Sequence, residues 1–165
     1  MAMTKKHIFL IIVIIASLIA GFKLLKPEVK TQSESGITIT GNIKNKEVIE
    51  EGITVIETNL KAVNQKDMSA YLSTLVNSAQ ADTKKEMKKF FKDFSVENEL
   101  LEIKVLDETP DKLLLQAQQK TTAPSNKKQK EKYRNHISTA NHTLVKEDGK
   151  WKIAETIMTD TQFIN

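Results

Sequence analysis

Apolar positions along this chain follow three spacings in turn, and each predicts a different element. From Ile8 to Phe22 they are continuous (IFLIIVIIASLIAGF), with Lys5 and Lys6 before and Lys23, Lys26 and Lys30 after. Roughly 20 apolar residues cross a hydrocarbon core of about 30 Å, and residues 8–25 approach that length if the Lys23 ammonium snorkels to the interface. From Ile49 the spacing becomes helical. Ile49, Ile53, Ile56, Leu60 and Val63 fall four, three, four and three apart, one stripe of an amphipathic helix. Asn64 to Lys66 interrupts it, and Asp67 is placed to cap a second helix carrying Tyr71, Leu72, Leu75 and Val76. Thr83 and Glu86 form a capping-box pattern for a third, with Met87, Phe90, Phe91 and Phe94 on one face.

After Phe94 the period is two. Leu101, Ile103 and Val105 predict one strand, Pro110-Asp111 a turn, and Leu113, Leu115 and Ala117 a second strand. Residues 122–132 (TAPSNKKQKEK) are polar and lysine-rich, which predicts an exposed hairpin loop. Residues 133–146 and 151–163 predict the last two strands, joined through Asp148-Gly149, a strong hairpin signal. The predicted class is α+β. An amino-terminal transmembrane helix precedes three helices and a run of antiparallel strands.

The segments follow from this. Residues 1–7 read as a short cytoplasmic tail, 8–25 as a membrane anchor or signal segment, and 26–46 as a linker with a short strand near Ile37–Thr40. Residues 47–165 read as one extracytoplasmic domain. A cleaved signal peptide needs a small-x-small site, but Leu18 precedes Ala20 and Ile19 precedes Gly21, which favours a retained single-pass anchor. The membrane lipid is then the first partner, through Ile8 to Leu25.

Charge narrows the other partners. The net charge of +4 lies in the first 30 residues, with five lysines and one glutamate; the remainder holds 20 basic and 20 acidic residues. Nucleic acid is therefore not an expected partner, since its binders show a basic excess. The chain has no cysteine, which excludes a disulfide or a lipid-modified cysteine and suits the bacterial envelope. Neither a glycine-rich phosphate loop nor a metal-ligand spacing occurs. No cofactor or metal is expected.

The final hairpin supplies the candidate chemistry. With Asp148 and Gly149 at the centre of a type I′ turn, Leu144 pairs with Ile153, His142 with Glu155 and Ala140 with Ile157. One face then carries His136, Ser138, Ala140, His142 and Leu144 beside Trp151, Ile153, Glu155, Ile157 and Phe163. The other carries Thr139, Asn141, Thr143, Lys152, Thr156 and Asp160. A slip of one residue would invert the assignment. His142 opposite Glu155 reads either as an acid/base pair or as a satisfied polar pair in a curved sheet. Asp67 and Tyr71 are further pocket candidates beside their roles as cap and core residue.

The helix–Asp67–helix opening and the Lys146-Glu147-Asp148-Gly149-Lys150-Trp151-Lys152-Ile153 ending resemble the nuclear-transport-factor-2-like superfamily, which includes ketosteroid isomerases and polyketide cyclases. The resemblance spans roughly residues 47–163. It implies helices packed in a strongly bent antiparallel sheet, a cone with an internal pocket, where His142 and Glu155, with Tyr71 or Asp67, could stand for the carboxylates, histidines or tyrosines of its enzymes. With the membrane segment, the layout is similar to inner-membrane scaffold subunits of type IV secretion and conjugation machines, and to small Gram-positive envelope proteins. The expected function is accordingly a non-catalytic interaction or scaffold domain that binds another envelope protein or itself through its threonine-rich outer face. The alternative is a small-molecule-binding or isomerase-like domain using the pocket. A fold of this kind hosts both.

Overall fold

The computed structural model describes residues 29–124 and 133–164; the predicted tail, the membrane segment and most of the lysine-rich loop lie outside them. Among the described residues no helix is long and apolar enough to cross a membrane. Strands β1 (Val29–Gln32) and β2 (Thr38–Gly41) lead into helices α1 (Lys46–Gln65), α2 (Met68–Ser73) and α3 (Asn77–Asp93). Strands β3 (Glu97–Glu108), β4 (Lys112–Thr122), β5 (His136–Glu147) and β6 (Lys150–Phe163) follow. All six strands join one sheet in chain order, from β1 at one edge to β6 at the other.

Two strands thus stand where a linker with one short strand was expected. β2 runs parallel to β3, with Ile39 opposite Ile103, so the sheet is not purely antiparallel. Ile39 is fully buried there. Gly41 ends β2 with φ +97° and lies so close to Val105 that a Cβ would come within 3.0 Å of its amide nitrogen and closer still to its carbonyl oxygen.

Helix α1 follows the predicted stripe. Ile49, Ile53 and Ile56 are buried and join Ile103, Val105, Leu113, Leu115 and Leu144 in one core. The helix begins where it does because the Asn45 side chain accepts from the amides of Glu47 and Val48. Beside it the Glu108 carboxylate, itself buried, accepts from the amides of Lys44 (2.9 Å) and Asn45 (3.0 Å). Lys66 closes the helix in the left-handed region with φ 56°.

Asp67 caps α2 as expected, its Oδ1 accepting from the Ala70 amide at 2.9 Å. Asp67→Ala should cost about 1 kcal/mol, read as a small drop in the urea midpoint of the full chain; an unchanged midpoint would show that the cap contributes nothing. Leu75 and Val76 leave the helix. They bridge to β6, where the Ile153 amide donates to Thr74 O (2.8 Å) and the Val76 amide donates to Ile153 O (3.1 Å). Helix α3 starts at Asn77, six residues before the predicted box at Thr83, and no side chain caps it. Its Phe90, Phe91 and Phe94 are only half-buried.

The last hairpin turns as predicted. Asp148 and Gly149 both have positive φ, 52° and 73°, as a type I′ turn requires. Glu147 pairs with Lys150, Lys146 with Trp151, and Leu144 with Ile153. Between Thr143 and Leu144 the register then shifts, and a second shift follows between Thr139 and Ala140, leaving Ala154 and Thr159 of β6 without partners. Bulges of this kind bend a strand and sharpen its twist; β3 carries two more.

Candidate functional site

The first β6 bulge overturns the predicted His142–Glu155 pair. His142 stands opposite Thr156 and Leu115, whereas Glu155 stands opposite Thr143. One extra residue has moved Glu155 and Ile157 to the outer face and brought Thr156 inward. The second bulge restores the parity, so Phe163 lies on the inward face as expected, there opposite His136. Glu155 is exposed while His142 retains 5% of its accessible surface. The two side chains share no face and form no acid/base pair.

What surrounds His142 is neutral. Its Nδ1 lies 2.9 Å from Thr156 Oγ1, and burial lowers its pKa from 6.5 to about 4, since desolvation penalises the cation. The ring is therefore uncharged at neutral pH, with one nitrogen a donor and the other an acceptor. Nε2 is buried and has no hydrogen-bond partner. Two further inward polar atoms share that condition, Ser138 Oγ and Gln119 Oε1. Ser138 and Gln119 are direct register partners on β5 and β4, separated from His142 by the small pair Ala140 and Ala117. Three orphaned polar atoms thus line the concave side over alanines. Leaving such a group unpaired costs about 1–3 kcal/mol, and a neutral hydroxyl, amide or water would satisfy each.

The other two candidates lie elsewhere. The Asp67 carboxylate is engaged in its cap. The Tyr71 ring meets Phe91 edge-on at 6.3 Å, and burial raises its pKa, against a hydrogen bond with Asn59 that lowers it. Among the described residues no group of three His, Asp or Glu side chains could hold a metal.

Sequence reasoning passed over several residues. Ser138 was on the correct face but carried no signal of its own, and Gln119 lay beyond the recognisable alternation of β4. An aromatic chain crosses from α3 to the sheet: Phe94 to Tyr133 at 5.6 Å, Tyr133 to His136 at 5.9 Å, and His136 to Phe163 at 6.2 Å. The Arg134 guanidinium sits 3.5 Å above the Phe163 ring. At the hairpin end, Glu51, Thr54, Thr58, Ser73, Lys150 and Lys152 help to line a surface groove of roughly 430 Å³. Its Trp151 donates to Glu51 Oε2 at 2.9 Å.

Comparison with protein families matches residues 54–164, well over half of the chain, to the family described as anti-sigma-I factor RsgI9, C-terminal domain. The chain belongs to the RsgI9 C-terminal domain family. That match covers α1 from Thr54 onward and all four long strands. Comparison with curated proteins gave no match.

Solved structures place this family member among cone folds. A protein from Novosphingobium aromaticivorans, provisionally described as an aromatic ring hydroxylase, aligns with TM-score 0.63 at 13% identity, over 74% of this chain and 96% of its own. An NTF2-like protein of unknown function from Pseudomonas putida aligns with TM-score 0.58 at 12% identity, over 70% and 87%. A cystatin-like-fold protein from Nostoc punctiforme aligns with TM-score 0.55 at 9% identity, over 66% and 86%. At such identities the fold alone is shared. The nuclear-transport-factor-2-like architecture is the fold of this RsgI9 C-terminal-type domain.

Proposed function

We propose that this chain is a non-catalytic regulatory domain, tethered to the cell membrane by residues 8–25 and working by binding on the extracytoplasmic side. The separation of His142 from Glu155 carries this reading. Acid–base catalysis needs a group that exchanges a proton near the working pH, and here the inward imidazole stays neutral with the expected carboxylate on the other face. The family bears the name of a regulator, an anti-sigma-I factor, and this favours signalling through contact over the secretion or conjugation scaffold that the layout resembles. The bound partner is another envelope protein or a second copy of the domain.

A second reading has its own observation. Gln119, Ser138 and His142 present unpaired inward polar atoms, which suit a small neutral ligand in the cone. The regulatory and ligand-binding readings are compatible if the ligand sets the partner contact.

The location is tested with protease on intact protoplasts carrying the full chain. The domain is expected to be digested without lysis, leaving a membrane-held fragment that begins with the tail. Full protection until the membrane is permeabilised would overturn the extracytoplasmic placement.

A further inference from the structure

Resting on the interaction reading above, we infer that the outer edge of β6 pairs with β6 of a second copy, antiparallel, about a two-fold axis through Ile157. The edge is covered at one point only among the described residues, where Thr74 and Val76 bond the peptide groups of Ile153. Those groups therefore point away from β5. On β5 the alternation continues without interruption against β4 through Leu144, His142 and Ala140. Their partners Thr156 and Met158 accordingly also turn their N–H and C=O groups outward, where no seventh strand lies among the described residues.

The side chains agree. Every residue from Glu155 to Phe163 is exposed, on both faces of the strand. Ile157 (50%), Met158 (53%) and Phe163 (51%) are three of the four large apolar side chains exposed among the described residues. Natural edges are usually guarded by lysine or proline. From Ala154 to Asn165 this chain has no lysine, arginine or proline. The bulges at Ala154 and Thr159 bracket the segment, so the regular stretch available for pairing is short.

Charge and parity select the second copy and its register. A two-fold axis perpendicular to the sheet pairs residues on the same face, so it must pass through a residue position. Through Ile157 it sets Thr156 opposite Met158 of the copy, and their outward peptide groups exchange four hydrogen bonds across the dyad. The two Ile157 side chains meet on the outer face. Glu155 then faces the copy's Thr159, and the two Glu155 carboxylates lie four residues apart, about 13 Å along the strand and beyond the screening length of about 8 Å at physiological salt. A dyad at Glu155 would instead oppose like charges, which destabilises a strand pair. So short a pairing makes a weak contact, and confinement to one membrane raises its occupancy through effective concentration.

The chain has no native cysteine, so a single introduced thiol reports the contact. Full-length Ile157→Cys in membranes, under mild oxidation, should give a disulfide dimer at least tenfold above Lys61→Cys, an exposed control on α1. Facing, non-hydrogen-bonded positions meet the distance a disulfide requires. Ile157→Lys, which sets two cations against each other at an exposed site, should weaken sedimentation-detected self-association of the detergent-solubilised chain about tenfold while its circular dichroism stays unchanged. Equal crosslinking of the two cysteine variants, or undiminished association of Ile157→Lys, overturns the self-pairing. Ile157→Cys joined to a different protein also overturns it but leaves the interaction reading standing; a domain that crosslinks to nothing from any exposed position removes both.

Discussion

Gly41→Ala should destabilise the domain by about 4 kcal/mol, the upper range for a single substitution. Two costs add. Gly41 holds φ +97°, a conformation that residues with a Cβ rarely adopt. The new Cβ would also press on the backbone of Val105, on both its nitrogen and its carbonyl oxygen. Backbone cannot swing aside as a flexible side chain can. β2 would have to withdraw from β3, breaking the Asn42 amide bond to Val105 O (2.9 Å) and uncovering the buried Ile39. Chemical unfolding of the full chain in detergent should show the loss as a lower urea midpoint with little change in slope. An unfolding free energy within about 0.5 kcal/mol of the parent would mean that β2 is not a working part of the sheet.

A short strand was expected at Ile37–Thr40 and β2 stands there, but its partners, β1 before it and β3 parallel to it, were hard to read. Ile37, Ile39 and the glycine after them lie in a polar stretch too short for a period to establish itself, and parallel pairing with β3 leaves no local sign. The long elements were different. The Ile49-to-Val63 stripe spans four turns, so its burial against the sheet was legible from spacing alone, and Asp148-Gly149 named its own turn. Helix α3 lay between these cases. Its predicted start at Thr83 followed a capping box, yet the helix begins at Asn77, because Leu75 and Val76 are held by β6 and release the chain there.

The site was legible in part for a related reason. Counting outward from the turn gave the correct partner for every residue to Leu144, and the inward face of β5 was correct along its whole length. One unpaired residue, Ala154, then shifted everything beyond it. A bulge is fixed by the curvature the sheet needs to wrap its helices, a tertiary demand with no residue-level signature here. Hence His142 was found and its partner was not. Gln119, whose carbonyl oxygen is orphaned beside Ser138, becomes visible only when β4 is laid against β5.

The neutrality of His142 has a measurable consequence below neutral pH. In the unfolded chain an imidazole takes up its proton near pH 6.5, whereas burial holds the folded group to about 4. Between these values the unfolded state binds more protons, so folding stability falls as pH falls. The contribution is fully present above pH 6.5 and lost on descent toward 4, to a total of about 3 kcal/mol, from 1.36 kcal/mol per pKa unit. His142→Gln cannot take up that proton, so the difference in stability between parent and variant should shrink by this amount from pH 7 to pH 4, followed by urea unfolding of the full chain. If His142→Gln left the slope unaltered, the imidazole would be titrating normally, and the neutral inward imidazole on which the non-catalytic reading draws would be lost with it.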